Sequence, residues 1–265
     1  MSFSAEWLAL REPIDHAARN KNIIAEVKEL LANKKTARLT DIASGTGSTI
    51  RALTPTLQNA LEWHLVDHDT ALLEIAKKEA ANANVTTSHT DLSKSFEAVF
   101  SKPTDLITTS AFLDLVSEDW IKRFVAAVAE HKLPVYAALS YDGRAVILPP
   151  LESDEIILSA FNAHQKTDKG LGPALGPDAA ETAIHYFNEA GYEVKSGLSD
   201  WQAGPNHAAF QTMLLEGWRD AASEIRPDLK QEFAEWFRER KALIEDGEIN
   251  AASLFVGHID FLALP

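Results

Sequence analysis

The stretch Leu39-Thr40-Asp41-Ile42-Ala43-Ser44-Gly45-Thr46-Gly47-Ser48 is an apolar run that ends in an acid and turns through two glycines into a helical pattern. Glycine at such a turn lets a ligand approach the backbone, because no Cβ stands in the way. Outward from this stretch, Ala37 to Ile42 reads as a short strand, Ala43 to Ser48 as a turn, Thr49 to Leu57 as a helix and Leu61 to Asp67 as a second strand, which together make a βαβ unit. The alternation continues with helix Thr70 to Ala81, strands Val85 to Asp91 and Asp105 to Thr109, helix Glu118 to Glu130 and strand Val135 to Ser140. Alternating strands and helices predict a parallel sheet covered on both faces.

Before this region, Asn22 to Asn33 places Ile23, Ile24, Val27, Leu30 and Leu31 on one helical stripe, with Lys34-Lys35 suited to a helix end. After it the rhythm breaks. Leu148 to Pro177 carries Pro149-Pro150, Gly170, Gly172-Pro173 and Gly176-Pro177 around a short apolar patch, Ile156 to Phe161, and reads as an insertion or lid. Helix Asp178 to Ala190 and strand Tyr192 to Leu198 restore the pattern, with Gly191 placed to end the helix. Two helical stretches follow, Phe210 to Ser223 and Asp228 to Glu245, before a last strand over Leu254 to Leu262. That strand arrives after an excursion without a simple crossover helix and is expected to run antiparallel.

Composition narrows the function. The 265 residues, 46% hydrophobic and 24% charged, suit one soluble α/β domain with a full core. A net charge of −14 repels a phosphate backbone, so nucleic acid is not an expected partner. The absence of cysteine removes disulfides, Cys-ligated zinc, Cys-bound iron–sulfur clusters and a thiol nucleophile. Met1 to Leu10 lacks the basic start and apolar run of a signal peptide, and no segment has the length of a membrane helix, so a cytoplasmic protein without membrane association is expected. No His, Asp and Glu spacing demands a metal, and none is expected.

A dinucleotide fingerprint would need G-x-G-x-x-G, but Gly45 and Gly47 are followed by Ser48, Thr49 and Ile50, with a branched apolar residue at the third glycine's place. A P-loop would need Gly-Lys-Ser or Gly-Lys-Thr at the end of the turn, which is missing. The acid-ended strand with Ala43-Ser44-Gly45-Thr46-Gly47 instead resembles motif I of the class I S-adenosylmethionine-dependent methyltransferases, with Ala43 where the family usually has its first glycine. The resemblance extends to Val66-Asp67 at the second strand end and Asp91-Leu92 after the third; it covers Ala37 to Gly143 well and Asp178 to Pro265 loosely.

The resemblance implies S-adenosylmethionine as cofactor, held by Asp41, Ala43, Ser44, Gly45 and Gly47 on the turn, by Asp67 and His68, by Asp91 and Leu92, and by Ser110 after the fourth strand. Simpler roles stand beside these: Asp41 as a turn or capping acid, Asp69 rather than Asp67 at the ribose, Asp91 and His68 as surface residues. The chemistry of the cofactor agrees with the analogy, since a sulfonium, an ammonium and a neutral adenosine ask for carboxylates where phosphates would ask for cations.

The acceptor half is less specific. Phe161-Asn162-Ala163-His164-Gln165-Lys166-Thr167-Asp168-Lys169-Gly170 has the composition of a mobile lid. Within it His164 is a candidate general base or a loop histidine, and Asn162 and Gln165 are candidate substrate ligands or loop hydrogen-bonders. Tyr141, just past the fifth strand, is a second catalytic candidate, with Asp142-Gly143 beside it as a possible turn. Asp114 would sit beside the methionine portion. Arg11, Asp15 and Arg19 share a helical face, either as a solvated salt-bridge ladder or with Arg11 clamping a carboxylate of cofactor or substrate. Trp201, Trp218 and Trp236 read as core packing.

The expected fold is therefore α/β, a Rossmann-like three-layer sandwich with a mostly parallel seven-stranded sheet and an antiparallel last strand. It forms one domain over 1–265, with an N-terminal helical arm (1–33), a lid (148–177) and a helical insertion before the last strand (207–250). The expected function is methyl transfer from S-adenosylmethionine to a small-molecule acceptor by direct in-line displacement, in a monomer or homodimer. The rivals are a non-catalytic S-adenosylmethionine-binding module and a nicotinamide-dependent oxidoreductase.

Overall fold

The strand β1 (Thr36–Ile42) sits at the centre of the sheet and pairs in parallel with β2 (Ala60–Asp67) on one side and β4 (Leu106–Ser110) on the other. In the computed structural model, which describes residues 3–80, 84–246 and 252–265, eight strands form one sheet, seven of them in the order β3-β2-β1-β4-β5-β8-β6. Here β3 is Asn84–His89, β5 Val135–Leu148, β6 Glu193–Leu198 and β8 Ser253–Leu264, with β7 (Trp201–Ala203) paired to β8 beyond the end of β6. Strands β1 to β5 are parallel to their neighbours, and β8 runs antiparallel between β5 and β6. The chain winds outward from β1 to β3 and then crosses back to β4, which opens a crevice at the carboxyl ends of β1 and β4.

Strand residues alternate between two cores with the period of two that pleating imposes. Leu39, Trp63, Leu65, Tyr136, Ala138 and Leu262 face one core. Ile42, Val66, Ile107, Ala137, Phe261 and Ala263 face the other. The first is covered by α2 (Lys21–Leu31), α3 (Ser48–Leu53), α4 (Thr70–Glu79) and the later helices, and the second by α5 (Glu118–His131) and α7 (Ala179–Glu189). The three-layer expectation and the antiparallel last strand are both met.

The N-terminal arm begins with α1 (Ala5–Ala18), capped by the Ser4 hydroxyl accepting from the Trp7 amide. Three details differ from the sequence reading. The sheet has eight strands because β7, three residues long, is too short to show a period. β5 continues through Leu148, since Asp142 and Gly143 form a bulge rather than a terminating turn, and Gly143 takes a positive φ of 86° there. Finally, the lid contains a helix, α6 (Asp154–Gln165), in which Ile157 and Ala160 are buried one turn apart. The Asn162, His164 and Gln165 candidates thus stand on a helix rather than in a loop. The expected helical insertion is α8 (Ala208–Ile225) and α9 (Lys230–Asp246); its last residues, 247–250, and the end of the helix expected at Ala81 lie outside the described residues.

Candidate active site

At the end of β1 the backbone must reverse within a few residues to enter α3. Ala43 takes φ 51°, Gly45 φ 52° and Gly47 φ 80° in doing so. A left-handed alanine costs on the order of 1–2 kcal/mol, which explains why a glycine is the easier residue at that position. Two other non-glycine residues with positive φ lie at the same edge of the sheet, Ala111 after β4 (49°) and Leu139 in β5 (56°). Such outliers persist where neighbours over-determine them. At Leu139 the cause is visible: Asp260 on β8 accepts from the Leu139 amide at 2.8 Å through Oδ1, and from the Tyr136 hydroxyl and the Asn20 amide at 3.0 Å through Oδ2.

Two cavities, each about 490 Å³, open at this edge. Both are lined by Phe3, Arg11, Ala111, Leu115 and Lys169, so they share a wall. The first spans the β1, β2 and β3 ends. Of the cofactor candidates, Ala43, Gly45, Asp67, His68, Asp91, Leu92 and Ser110 line it. Asp67 is buried and accepts from the Gly45 amide at 2.8 Å and the Asp69 amide at 2.9 Å, which joins the second strand end to the glycine turn. Asp69 caps α4, accepting from the Ala71 and Leu72 amides. Asp91 is exposed, and its pKa is well below the usual carboxylate range because Lys94 and Ser93 bond to it. Leu92, Leu72 and Phe112 supply an apolar wall.

The other three cofactor candidates lie behind that wall. Asp41 is buried beneath the turn, where it accepts from the Thr108 hydroxyl at 2.7 Å, and burial pushes its pKa up to about 7. The Ser44 hydroxyl is buried without a hydrogen-bond partner. Gly47 caps α3, and a Cβ there would meet the Ala76 side chain at 3.2 Å, so it permits close packing of α3 on α4. Ile50, at the third glycine's place of a dinucleotide fingerprint, is buried in the core.

The second cavity lies between α1, α6, α8 and β5. Arg11, Asp114, Tyr141, His164 and Gln165 line it, and Asn162 does not. Asn162 accepts from the Tyr141 hydroxyl at 2.7 Å and donates to the Gly143 carbonyl at 3.0 Å, so it fixes the tyrosine and the bulge from behind. His164 has both ring nitrogens engaged, Nε2 with Glu224 at 3.0 Å and Nδ1 with Lys169 Nζ at 3.1 Å. Burial raises the Tyr141 pKa and pushes that of Asp114 up to about 6, where the nearby Arg11 charge opposes the shift.

The Arg11, Asp15 and Arg19 face is buried rather than a solvated ladder. Asp15 and Arg19 are nearly inaccessible, Arg11 Nε lies 2.9 Å from Asp15, and Arg19 donates to the Ser110 hydroxyl at 3.1 Å. Arg51 on α3 holds Glu12 of α1 through two bonds, at 2.6 and 2.5 Å, and reaches the Thr46 carbonyl at 2.8 Å. The arm is thereby seated on the glycine turn, with the Leu8 side chain 3.5 Å from where a Gly45 Cβ would stand.

Sequence reasoning missed four contributors to the acceptor cavity. Trp201 and Trp218, expected to serve the core alone, also line it, with Trp218 stacked on Phe161 at 4.9 Å. His258 on β8 lines it as a neutral ring, its pKa pushed down to about 3 by burial and its Nδ1–H donating to the Val256 carbonyl at 3.0 Å. Lys169 was one lysine among several in a charged loop. The local signal that could have singled it out, its place just before Gly170, is too slight to carry a role.

The two cavities lie at the switch point of the sheet, where open α/β folds bind ligands. Residues 39–134 match the family model of a methyltransferase domain. The rest of the chain is similar to known proteins by fold alone. Among solved structures, the chain is similar in fold to a cyclopropane synthase of Mycobacterium tuberculosis, at 13% identity and a TM-score of 0.52, over 99% of this chain and 95% of the other. It is similar also to the YcgJ protein of Bacillus subtilis, at 14% identity and a TM-score of 0.52, over 92% of this chain and 98% of the other. No curated protein matches the sequence.

Proposed function

We propose that the protein transfers a methyl group from S-adenosylmethionine to a small-molecule acceptor by direct in-line displacement. The observation that carries this reading is the wall of Arg11, Ala111, Leu115 and Lys169 shared by the two cavities, which suits a cofactor on one side and an acceptor on the other. The first cavity suits the cofactor by its donor set: Asp67 and Asp91 for hydroxyl and amine donors, Leu92 and Phe112 for a flat base, and the Gly45 turn for close backbone approach.

When bound, S-adenosylmethionine supplies a methyl group made electrophilic by a sulfonium. The chain's residues then have to align an acceptor, exclude water and hold any proton released. Trp201, Trp218 and Phe161 give the chamber walls that exclude water. Asp114, a buried carboxylate with a pKa near 6, is the group suited to accept a proton from a protic acceptor. His164 and Tyr141, the two catalytic candidates, act by position: His164 holds Lys169, and Tyr141 is fixed by Asn162. The fold fits neither rival as closely, since the dinucleotide fingerprint fails at Ile50 and a binding module has no need of a second chamber.

Calorimetry with S-adenosylmethionine and S-adenosylhomocysteine, repeated with Asp67→Ala, tests the reading. A carboxylate accepting from cofactor hydroxyls contributes about 1.5–3 kcal/mol, so the variant should bind at least about tenfold more weakly while remaining folded by circular dichroism. Absence of binding by the folded wild-type protein would sink the proposal.

A further inference from the structure

Lys169 is buried at 8% exposure and lines both cavities. Its ammonium bonds to the Thr167 hydroxyl at 2.8 Å and to His164 Nδ1 at 3.1 Å. Among the described residues no carboxylate stands within ion-pair distance of it. Glu224 is the nearest acid in effect, held on the far nitrogen of His164 and largely exposed. A buried cation without a counter-ion is costly, and a chain that keeps one at a cavity wall has a place for an anion.

Two anions compete for that place: the carboxylate of the cofactor's methionine portion and a charged group on the acceptor. The geometry divides them between two cations. Arg11 stands one helical turn beyond Leu8, which roofs the glycine turn of the cofactor cavity; its guanidinium lies over the Trp201 ring at 5.9 Å, and neither Nη has a hydrogen-bond partner among the described residues. Lys169 is followed by Gly170 and Leu171, which line the cofactor cavity, but its ammonium is held from the other side. It is held by α6, whose Phe161, His164 and Gln165 line the acceptor chamber and not the cofactor cavity. The remaining walls there combine the rings of Trp7, Trp201, Trp218, Tyr141 and Phe161 with aliphatic side chains such as Met213 and Leu214, which suit a flat apolar body, and they also carry the Asp114 carboxylate.

We propose that Lys169 is the anion anchor of the acceptor chamber, and that the acceptor is an aromatic acid whose carboxylate pairs with the Lys169 ammonium while its ring lies between the tryptophans. This rests on the methyl-transfer reading above and specifies its substrate class. His164 and Glu224 are positioning residues in this arrangement, holding the ammonium at the shared wall.

The test uses the full-length protein saturated with S-adenosylhomocysteine and two probes of equal shape, 2-naphthoate and 2-naphthamide, with binding read by quenching of tryptophan fluorescence. The wild type should bind the acid at least about tenfold more tightly than the amide, the factor expected of one charge-assisted hydrogen bond. Lys169→Met should reduce that preference to less than about threefold and Lys169→Arg should keep it, with the affinity of each variant for S-adenosylhomocysteine measured by calorimetry. Equal binding of acid and amide, or binding of neither, overturns the proposal on the wild type alone, whatever the variants do. A Lys169→Met protein that loses S-adenosylhomocysteine affinity but keeps the acid preference overturns it as well, and assigns Lys169 to the cofactor carboxylate. Failure of the wild type to bind S-adenosylhomocysteine is a different result and counts against the methyl-transfer reading itself.

Discussion

Asp41 and Asp67 show how one residue type serves two ends at the same sheet edge. Asp67 meets two backbone amides at the cavity wall, whereas Asp41 is buried behind the turn with the Thr108 hydroxyl. Burial lifts the Asp41 pKa from 3.8 to about 7, so the folded protein holds a proton there that the unfolded chain releases from about pH 4 upward. Stability from this group is therefore complete below about pH 4 and is lost as pH rises through about 7. Asp41→Asn, which keeps an acceptor for Thr108 but cannot ionise, should raise the melting temperature relative to wild type at pH 8 and much less at pH 5. A difference that is the same at both pH values would show that Asp41 does not titrate in this window. Both acids could be picked out in the sequence as strand ends, but nothing in the residue order distinguishes the buried one from the one at the wall.

Among the elements, α6 shows where reading by composition reached its end. The glycines and prolines of the 148–177 segment suggested a mobile lid, yet those that break structure are confined to its two ends, and the middle carries a buried helical stripe. Its anchor is distant in sequence: Arg240 of α9, fully buried, pairs with Asp154 at the start of α6 and donates to the Pro149 carbonyl at 2.6 Å. Trp236 Nε1 donates to the same Asp154 at 2.7 Å. Removing one partner of a buried ion pair strands the other charge, so Arg240→Met should lower unfolding stability by about 3–5 kcal/mol in urea denaturation. A loss below about 1 kcal/mol, the range of an exposed pair, would contradict this. The bulge in β5 is another long-range product: Asn162 of α6 donates to the Gly143 carbonyl, while Asp142-Gly143 by itself reads as a turn.

At the scale of the whole molecule, the two cavities are enclosed by parts of the chain that lie far apart in sequence: the arm, the sheet edge and the helices before the last strand. Ligand bound there is linked to global stability. S-adenosylhomocysteine at a hundred times its dissociation constant should stabilise the protein by about 2.7 kcal/mol, visible as a rise in melting temperature that Asp67→Ala reduces. No shift at saturating ligand would mean that the folded state does not bind it. The net charge of −14 acts at this scale too, and predicts no measurable retention of the protein by RNA or duplex DNA at physiological salt.

The sequence by itself determined the α/β class, the parallel half of the sheet, the antiparallel last strand and the acid-ended glycine turn. These are local: a period of two or 3.6, a cap or a turn residue records each one within a few positions. Tertiary structure alone decided which acids reach the cavity, the burial of the Arg11, Asp15 and Arg19 face, the eighth strand, and the standing of Lys169, Trp201 and Trp218 around one chamber. Burial and electrostatic partnership depend on what the rest of the chain brings alongside, and for these residues the partners come from α1, α6, α8 and β8, which no local pattern connects.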